Sequence, residues 1–359
     1  MKILIPQPHF GTSGGARVLS ELATAWTAAG NHVDMLVPRT AGQPYFPTTA
    51  RLLRTDLRGT VLNATGPRHT VRSGIYNNLA LCAGLSKIGP NYDIILANHN
   101  LTAWATWLAR VPRRSRFYYI QAYEPTFCLD PLAPTRYLLA RLSYHLPLTQ
   151  IVNASVYPGL EDRPVVPCGI DLNIFYPTKR RFDFSHDHPI ILGTIGRTEP
   201  WKGTRYVLEA FERLYQTDSR YRLRVAFGNL PTDWSHPAAE IVPIDNDVKL
   251  ADFYRSLDIL VAGTYGQNDS PHYPVLEAMA CGIPTVSTGY LPGTEKNSWI
   301  YAAKDVDNLV SKITSVISDD KLEEKIALAR SAANEFAWPL IAKRLENIFI
   351  EALALPSPR

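Results

Sequence analysis

The chain has 359 residues, of which 46% are hydrophobic and 19% charged, with a formal net charge of +4. That length is too great for one comfortable core and that composition is globular, so two folded domains are expected and a disordered chain is excluded. No apolar run approaches the ~20 residues of a membrane-spanning helix, and Pro6 interrupts the opening apolar run too early for a signal peptide to be expected.

The charge is unevenly divided. Residues 1–181 hold 19 Lys+Arg against 9 Asp+Glu, whereas residues 182–359 hold 18 against 24. The basic half includes Arg51, Arg54, Arg58, Arg68 and Arg72, then Arg110, Arg113, Arg114 and Arg116. It suits an anionic membrane surface or a phosphate-bearing acceptor, or is simply a solvated surface. No binding motif for nucleic acid accompanies the charge, so that partner is not expected. Cys82, Cys128, Cys168 and Cys281 show neither close pairing nor metal-ligand spacing. They read as reduced thiols of a cytoplasmic protein, with no metal site.

The predicted elements begin with a strand, Lys2 to Pro6, running into the glycine-rich loop HFGTSGGARV. A helix follows from about Ala16 to Ala29, with Val18, Leu19, Leu22, Ala23 and Trp26 on one face and Gly30 as its stop. HVDMLVP is the next strand, which completes the opening of a parallel βαβ unit. Residues 40–75, rich in Thr, Arg, Gly and Pro, read as a long loop or lid. YDIILAN, RFYYIQA and TQIVNAS are buried-strand candidates, and the Pro-rich stretch around 156–185 is an interdomain connection. The pattern then restarts: PIILGTIGR, YRLRVAFG, DILVAG and IPTVSTG as strands, GTRYVLEAFERLYQ, DVKLADFYRSL and PVLEAMACG as helices. Two α/β units in series imply two Rossmann-like domains, expected at 1–165 and 186–337, joined by 166–185, with a terminal helix in 338–359.

Two stretches carry the chemistry. In GRTEPWKG, residues 196–203, Arg197 and Lys202 project from the carboxyl end of a strand, where open α/β sheets bind ligands, and Gly196 and Gly203 allow close backbone approach. Two cations there suit a diphosphate, Arg as a planar fork and Lys as a point charge, although a solvated surface turn fits an isolated motif equally well. It is not a Walker A sequence. In NDSPHYPVLEAMACG, Asp269 lies eight positions before Glu277. Pro271 has no N–H, which leaves the Ser270, His272 and Tyr273 amides as a phosphate cradle at the helix start. Glu277 is placed to accept from ribose hydroxyls and Asp269 from sugar hydroxyls; alternatively the two are a helix cap and a dipole-favoured carboxylate. The Asp-Asn-Asp at 245–247 looks like a metal motif but reads as a helix start with Asp247 as N-cap.

Taken in order and spacing, VVPCGIDLNIFYP, GTIGRTEPWKGTRYVLEAF, FYRSLDILVAGT and PVLEAMACGIPTVST resemble the retaining GT-B glycosyltransferases of family 4. SGGARV is similar to the family's opening loop and EFAWPLIAKRL to the entry of its terminal helix, whereas residues 40–90 carry no resemblance. The resemblance implies two Rossmann-like domains facing across a cleft, with the terminal helix crossing back to the N-terminal domain. It also implies a hexosyltransferase working without a metal or cofactor. The donor would be a UDP-, GDP- or dTDP-linked sugar, and the acceptor a hydroxyl in glycan, polysaccharide or glycolipid synthesis, handled in the cytoplasm or peripherally at the inner membrane face.

By the same resemblance Gly14 and Gly15 bring amides to the donor phosphates, Glu277 binds the ribose and Asp269 contacts the transferred sugar. Asp269 departs from the family's Glu in that position, and Pro-His-Tyr replaces the usual Gly-Phe-Gly. Gln121 stands where many members carry His, with Glu124 three residues on, a form shared with some rhamnosyltransferases. Gln121 cannot act as a base; Glu124 is either that base or a helix-cap carboxylate. His99 and His9 lie at strand ends facing the expected cleft. A nucleotide-sugar epimerase of the same fold, or a non-catalytic nucleotide-sugar-binding paralogue, would share most of these features.

Overall fold

The computed structural model describes residues 1–11, 14–63, 74–128, 133–178, 182–185, 187–265 and 270–355. The chain forms two compact units, Met1–Gly169 with Trp338–Arg359, and Ile170–Ala337.

The first unit contains β1 (Lys2–Pro6), α1 (Gly14–Ala28), β2 (His32–Pro38), β3 (Arg51–Thr55), β4 (Val61–Asn63), α2 (Gly74–Ile88), β5 (Ile94–Ala97), α3 (Asn100–Leu108), β6 (Arg116–Ile120), α4 (Ala133–Ser143) and β7 (Thr149–Val152). Its sheet runs β4-β3-β2-β1-β5-β6-β7, parallel except where β4 returns against β3. Nearly every residue of β1, β2, β5 and β6 is buried, as a parallel sheet covered on both faces requires. α1 buries Val18, Leu19, Leu22, Ala23 and Trp26, and Gly30 ends the turn after it at φ +85°.

The expected loop at 40–75 is corrected: it contains β3 and β4, and only residues 64–73 fall outside the described structure. The polar strand is held by partners distant in sequence. Arg51 donates through Nε and Nη2 to the buried Asp34 carboxylate at 2.7 Å each, and the Tyr92 hydroxyl donates to the same carboxylate. Burial alone would raise the Asp34 carboxyl, but the Arg51 and Tyr92 hydrogen bonds and then the charges of Arg51 and His32 outweigh it and hold it below the usual carboxylate range. A depressed folded pKa contributes stability above the unfolded value of about 3.9, and that contribution is lost as pH falls through the folded value. Asp34→Asn should therefore cost about 2 kcal/mol at neutral pH, discounted because Arg51 is half exposed. Urea midpoints of the two proteins should converge below pH 4; a gap that persists in acid would mean packing rather than charge.

The second unit contains β8 (Ile190–Ile195), α5 (Thr204–Thr217), β9 (Tyr221–Ala226), β10 (Ala239–Val242), α6 (Asp247–Arg255), β11 (Ile259–Ala262), α7 (Tyr273–Ala280), β12 (Thr285–Ser287), β13 (Trp299–Ile300), α8 (Val306–Ile317) and α9 (Leu322–Asn334). Its sheet, β10-β9-β8-β11-β12-β13, is parallel throughout. One core joins the sheet to α5 and α8 through Val207, Phe211, Leu309 and Ile313, and the other joins it to α6, α7 and α9 through Tyr254, Leu276, Met279 and Ala333. The stretch expected as a connection, 166–185, is partly core: Ile170 and Phe175 are fully buried against α6 and α7. The N-cap of α6 is Asn246, not Asp247, with the Asn246 carboxamide oxygen accepting from Lys249 N–H at 2.9 Å. Asp247 is the first helical residue instead, where a carboxylate favours the dipole.

A terminal helix, α10 (Trp338–Ala354), completes the first unit. Trp26 donates its indole N–H to Ala342 O at 3.1 Å, and Phe349 meets the rings of Trp26 and Phe117 at 5.8 and 4.7 Å.

Candidate functional site

In each sheet the strand order reverses at one place, and open α/β sheets bind ligands outside the carboxyl ends of the strands at that point. In the second unit it lies between β8 and β11, and these strands lead into residues 196–203 and into the stretch ending at His272. Gly196 is required by space: a Cβ there would sit 1.6 Å from Gly228 O. Gly203 is required by conformation and space together, at φ +67° with its Cβ position 2.0 Å from Gly263 O. Between them the Arg197 backbone is clasped by Thr204, whose hydroxyl accepts from Arg197 N–H at 3.1 Å and donates to Arg197 O at 2.8 Å. The loop is thus rigid where it presents its cations.

Arg197 is exposed and Lys202 half-buried. Burial, then the charge of Arg197, lowers the Lys202 pKa, with Glu199 opposing. His272, the N-cap residue of α7, packs its ring on the buried Tyr290 at 4.7 Å. Burial and the charges of Lys202 and Arg197 push its pKa down to about 3, and its Nδ1 is shut from solvent with no hydrogen-bond partner among the described residues. Three basic side chains therefore meet at one strand edge, and burial first, then their mutual charge, lowers the proton affinity of Lys202 and His272. The repulsion between Arg197 and Lys202 is what a bound polyanion would relieve.

The amide cradle needs one correction. His272 N–H donates to Leu291 O at 3.3 Å, because Pro271 bridges to Leu291, so one of the three expected donors is already committed. Glu277 is 2% exposed and accepts from the Tyr254 hydroxyl at 2.8 Å. Tyr254 and Thr204 were not anticipated. Thr204 is the first residue of α5 and bonds the Arg197 backbone seven residues back, not its own helix, and Tyr254 lies 23 residues from its partner, so neither leaves a local signal. Asp269 lies outside the described residues.

In the first unit the order reverses between β1 and β5. The loop after β1 leads to Gly14 and Gly15, the first residues of α1, and a Cβ on Gly15 would press on Gln121 Oε1 at 3.3 Å. His99 caps α3, accepting from Leu101 N–H through Nδ1 at 3.2 Å, while its Nε2 lies 3.2 Å from Glu124. Glu124 is buried and also accepts from Asn100 N–H at 2.9 and 3.1 Å, from the Asn100 carboxamide and from the Tyr118 hydroxyl at 2.8 Å. The carboxylate thus closes the N-terminus of α3. His9 is exposed and stands apart from this cluster of hydrogen bonds.

The family Glycosyl transferases group 1 matches residues 189–319, within the second unit. The D-inositol 3-phosphate glycosyltransferase of Corynebacterium efficiens is 23% identical over 97% of this chain and 93% of its own length. That of Streptosporangium roseum is 24% identical over 98% and 91%. Among solved structures, sucrose-phosphate synthase from Thermosynechococcus elongatus superposes with a TM-score of 0.71 at 19% identity, covering 99% of both chains. Anabaena HepE, solved in complex with UDP and glucose, gives 0.65 at 16% identity over 99% of this chain and 100% of its own. Two α/β units with parallel sheets and this superposition over the whole length show the GT-B fold, and the second unit carries a domain that matches the group 1 glycosyl transferases.

Proposed function

We propose that the enzyme transfers a hexose from a nucleoside-diphosphate sugar to a hydroxyl acceptor with retention at the anomeric carbon. The observation that carries this reading is the meeting of Arg197, Lys202 and the unpartnered Nδ1 of His272 at the end of β8. A diphosphate placed there receives a guanidinium fork and an ammonium, and both strengthen as negative charge develops on the departing group. Positive charge from these two side chains does for the leaving group what a metal ion does elsewhere, so no metal or cofactor is invoked. Glu277, oriented by Tyr254, accepts from the ribose hydroxyls, and Asp269 contacts the sugar. HepE, with UDP and glucose bound, supports a donor of this class.

Gly14, Gly15 and Gln121 then serve the reacting end of the donor and the acceptor. His99 has both ring nitrogens engaged, and Glu124 holds the N-terminus of α3. Neither is a general base in this reading; both are positioning residues. Deprotonation of the acceptor falls to the leaving diphosphate, on the same face of the sugar, which is consistent with retention and with Gln121 lacking basicity.

Thermal-shift titration with UDP, GDP and dTDP should single out one nucleotide, since a ligand bound only by the folded state raises the melting temperature by mass action. Incubation with matching sugar nucleotides should then consume donor in the presence of acceptor extract and release product of unchanged anomeric configuration by NMR. Donor conversion without acceptor would point to an epimerase, and tight binding without turnover to a binding-only protein; either result overturns the proposal.

A further inference from the structure

Pro271, His272 and Tyr273 stand where the family resembled by the sequence carries Gly-Phe-Gly, so an imidazole here is a feature of this chain. The backbone around it is clamped. Leu291 N–H donates to Ser270 O at 3.1 Å and His272 N–H donates to Leu291 O at 3.3 Å, one bond on each side of Pro271. The ring then lies on Tyr290 at 4.7 Å between centroids, tilted by 37°. Tyr290 is itself buried, so the platform under the imidazole is fixed.

Held this way, the ring is unsatisfied. Nδ1 is shut from solvent and has no hydrogen-bond partner among the described residues. An unsatisfied buried polar atom destabilises a fold, and each one in a native structure calls for a reason. The ring is also neutral at physiological pH, because burial first, then the charges of Lys202 and Arg197, oppose its protonation. A neutral imidazole has one N–H and one lone pair. Orphaned buried N–H groups are rarer in folded proteins than under-satisfied acceptors. The proton therefore belongs on Nε2, and the buried Nδ1 keeps the lone pair.

We propose that the His272 side chain is an uncharged third ligand of the donor diphosphate, giving its Nε2–H to a phosphate oxygen. In the nucleotide-sugar reading on which this rests, Arg197 and Lys202 supply the positive charge. A third cation beside them would add to the repulsion that already lowers the Lys202 pKa. A neutral donor forms a charge-assisted hydrogen bond to an oxyanion without that penalty. The backbone N–H of His272 is committed to Leu291 O, so the side chain takes the place in the cradle that the amide cannot fill.

Two variants separate this role from simple packing. His272→Phe keeps an aromatic ring on Tyr290 and removes both nitrogens, whereas His272→Gln restores an amide N–H near the place of Nε2–H. Calorimetric titration of the full chain with inorganic pyrophosphate, and with UDP, GDP and dTDP in turn, should show wild-type binding of pyrophosphate and of at least one nucleotide. His272→Phe should weaken both at least about tenfold, the size of a hydrogen bond to a charged group, and His272→Gln should recover part of the loss. The ligand-free melting temperature of His272→Phe should equal or exceed that of the wild type, since an unsatisfied buried atom is gone. In wild-type protein carrying isotopically labelled histidine, the ring resonance that is missing from His272→Gln should report a neutral Nε2–H tautomer between about pH 5 and 8. It should move when pyrophosphate is added. A wild type that binds none of these probes overturns this proposal together with the nucleotide-sugar reading. Wild-type affinity retained by His272→Phe overturns this proposal alone, and so does a ring that carries its proton on Nδ1 or ignores pyrophosphate. Should the phenylalanine overpack the site and lower the melting temperature, the wild-type resonance decides.

Discussion

Lys202→Ala should lower kcat by about a hundredfold without lowering the melting temperature of the free enzyme. The activity term follows from the loss of a preorganised positive group at a departing diphosphate, typically worth 10²–10³ in rate. The stability term follows from the cost that the folded chain already bears. Lys202 is half-buried beside Arg197, and both influences lower its pKa. Between that lowered value and the ordinary 10.5 the unfolded chain binds more protons than the folded one, so the stability of the free enzyme rises with pH across that window. Removing the ammonium removes this penalty. A bound nucleoside diphosphate reverses the sign by favouring the protonated lysine. In the variant, the nucleotide-induced thermal shift should therefore shrink along with kcat. Lys202→Arg, which keeps the charge but changes reach and shape, should recover part of both. A variant that retains the wild-type rate refutes the diphosphate role, and one that loses rate through a collapsed melting temperature assigns Lys202 to the fold.

What could be read from the sequence and what could not divide along a physical line. α5 was legible because one face of a single helix buries Val207, Leu208, Phe211 and Leu214, a pattern local to its own residues. β3 was not, because RLLRT carries arginines at its first and fourth positions, the second of them buried. Arg51 is satisfied by Asp34, 17 residues earlier, and Arg54 donates to the carbonyls of Ala41, Arg39 and Gly42. α4 was missed for a different reason: its leucines face outward, so the helical period of its burial runs against its hydrophobicity. In the candidate site, the cations, Glu277 and the glycines stood in recognisable strings. The capture of the His272 amide by Leu291 and the orientation of Glu277 by Tyr254 depend on pairs 19 and 23 residues apart. Periodicity and spacing report what a segment does with its own hydrogen bonds; they are silent on tertiary partners.

Gly196→Ala should be the most damaging single-methyl change in the second unit. The added Cβ would lie 1.6 Å from Gly228 O and 2.8 Å from both Gly228 C and Val225 Cγ1, so the obstacle is mainly backbone, not the end of a flexible side chain. The opposing turn has little room to retreat. Phe227, Gly228 and Asn229 occupy three consecutive left-handed conformations, at φ +65°, +70° and +50°, and the Asn229 carboxamide donates back to Gly196 O at 3.3 Å. Gly196 N–H is also fixed, donating to Ala226 O at 3.0 Å. With both sides constrained, the cost should reach about 3 kcal/mol, the upper end for overpacking, or a fall of roughly 10 °C in melting temperature at 2–4 °C per kcal/mol for a unit of this size. Gly228→Ala is the internal comparison. It places a Cβ in ordinary or slightly tight contact with Ile241, 3.3 Å from Cγ2, and incurs the left-handed penalty of an L residue, about 1 kcal/mol. The expected order is Gly196→Ala well below Gly228→Ala in melting temperature. Because Arg197 follows Gly196 directly, the first variant should also lose nucleotide affinity at temperatures where it remains folded, while the second retains it. An equal or inverted order would mean that the two turns do not meet as closely as the site requires.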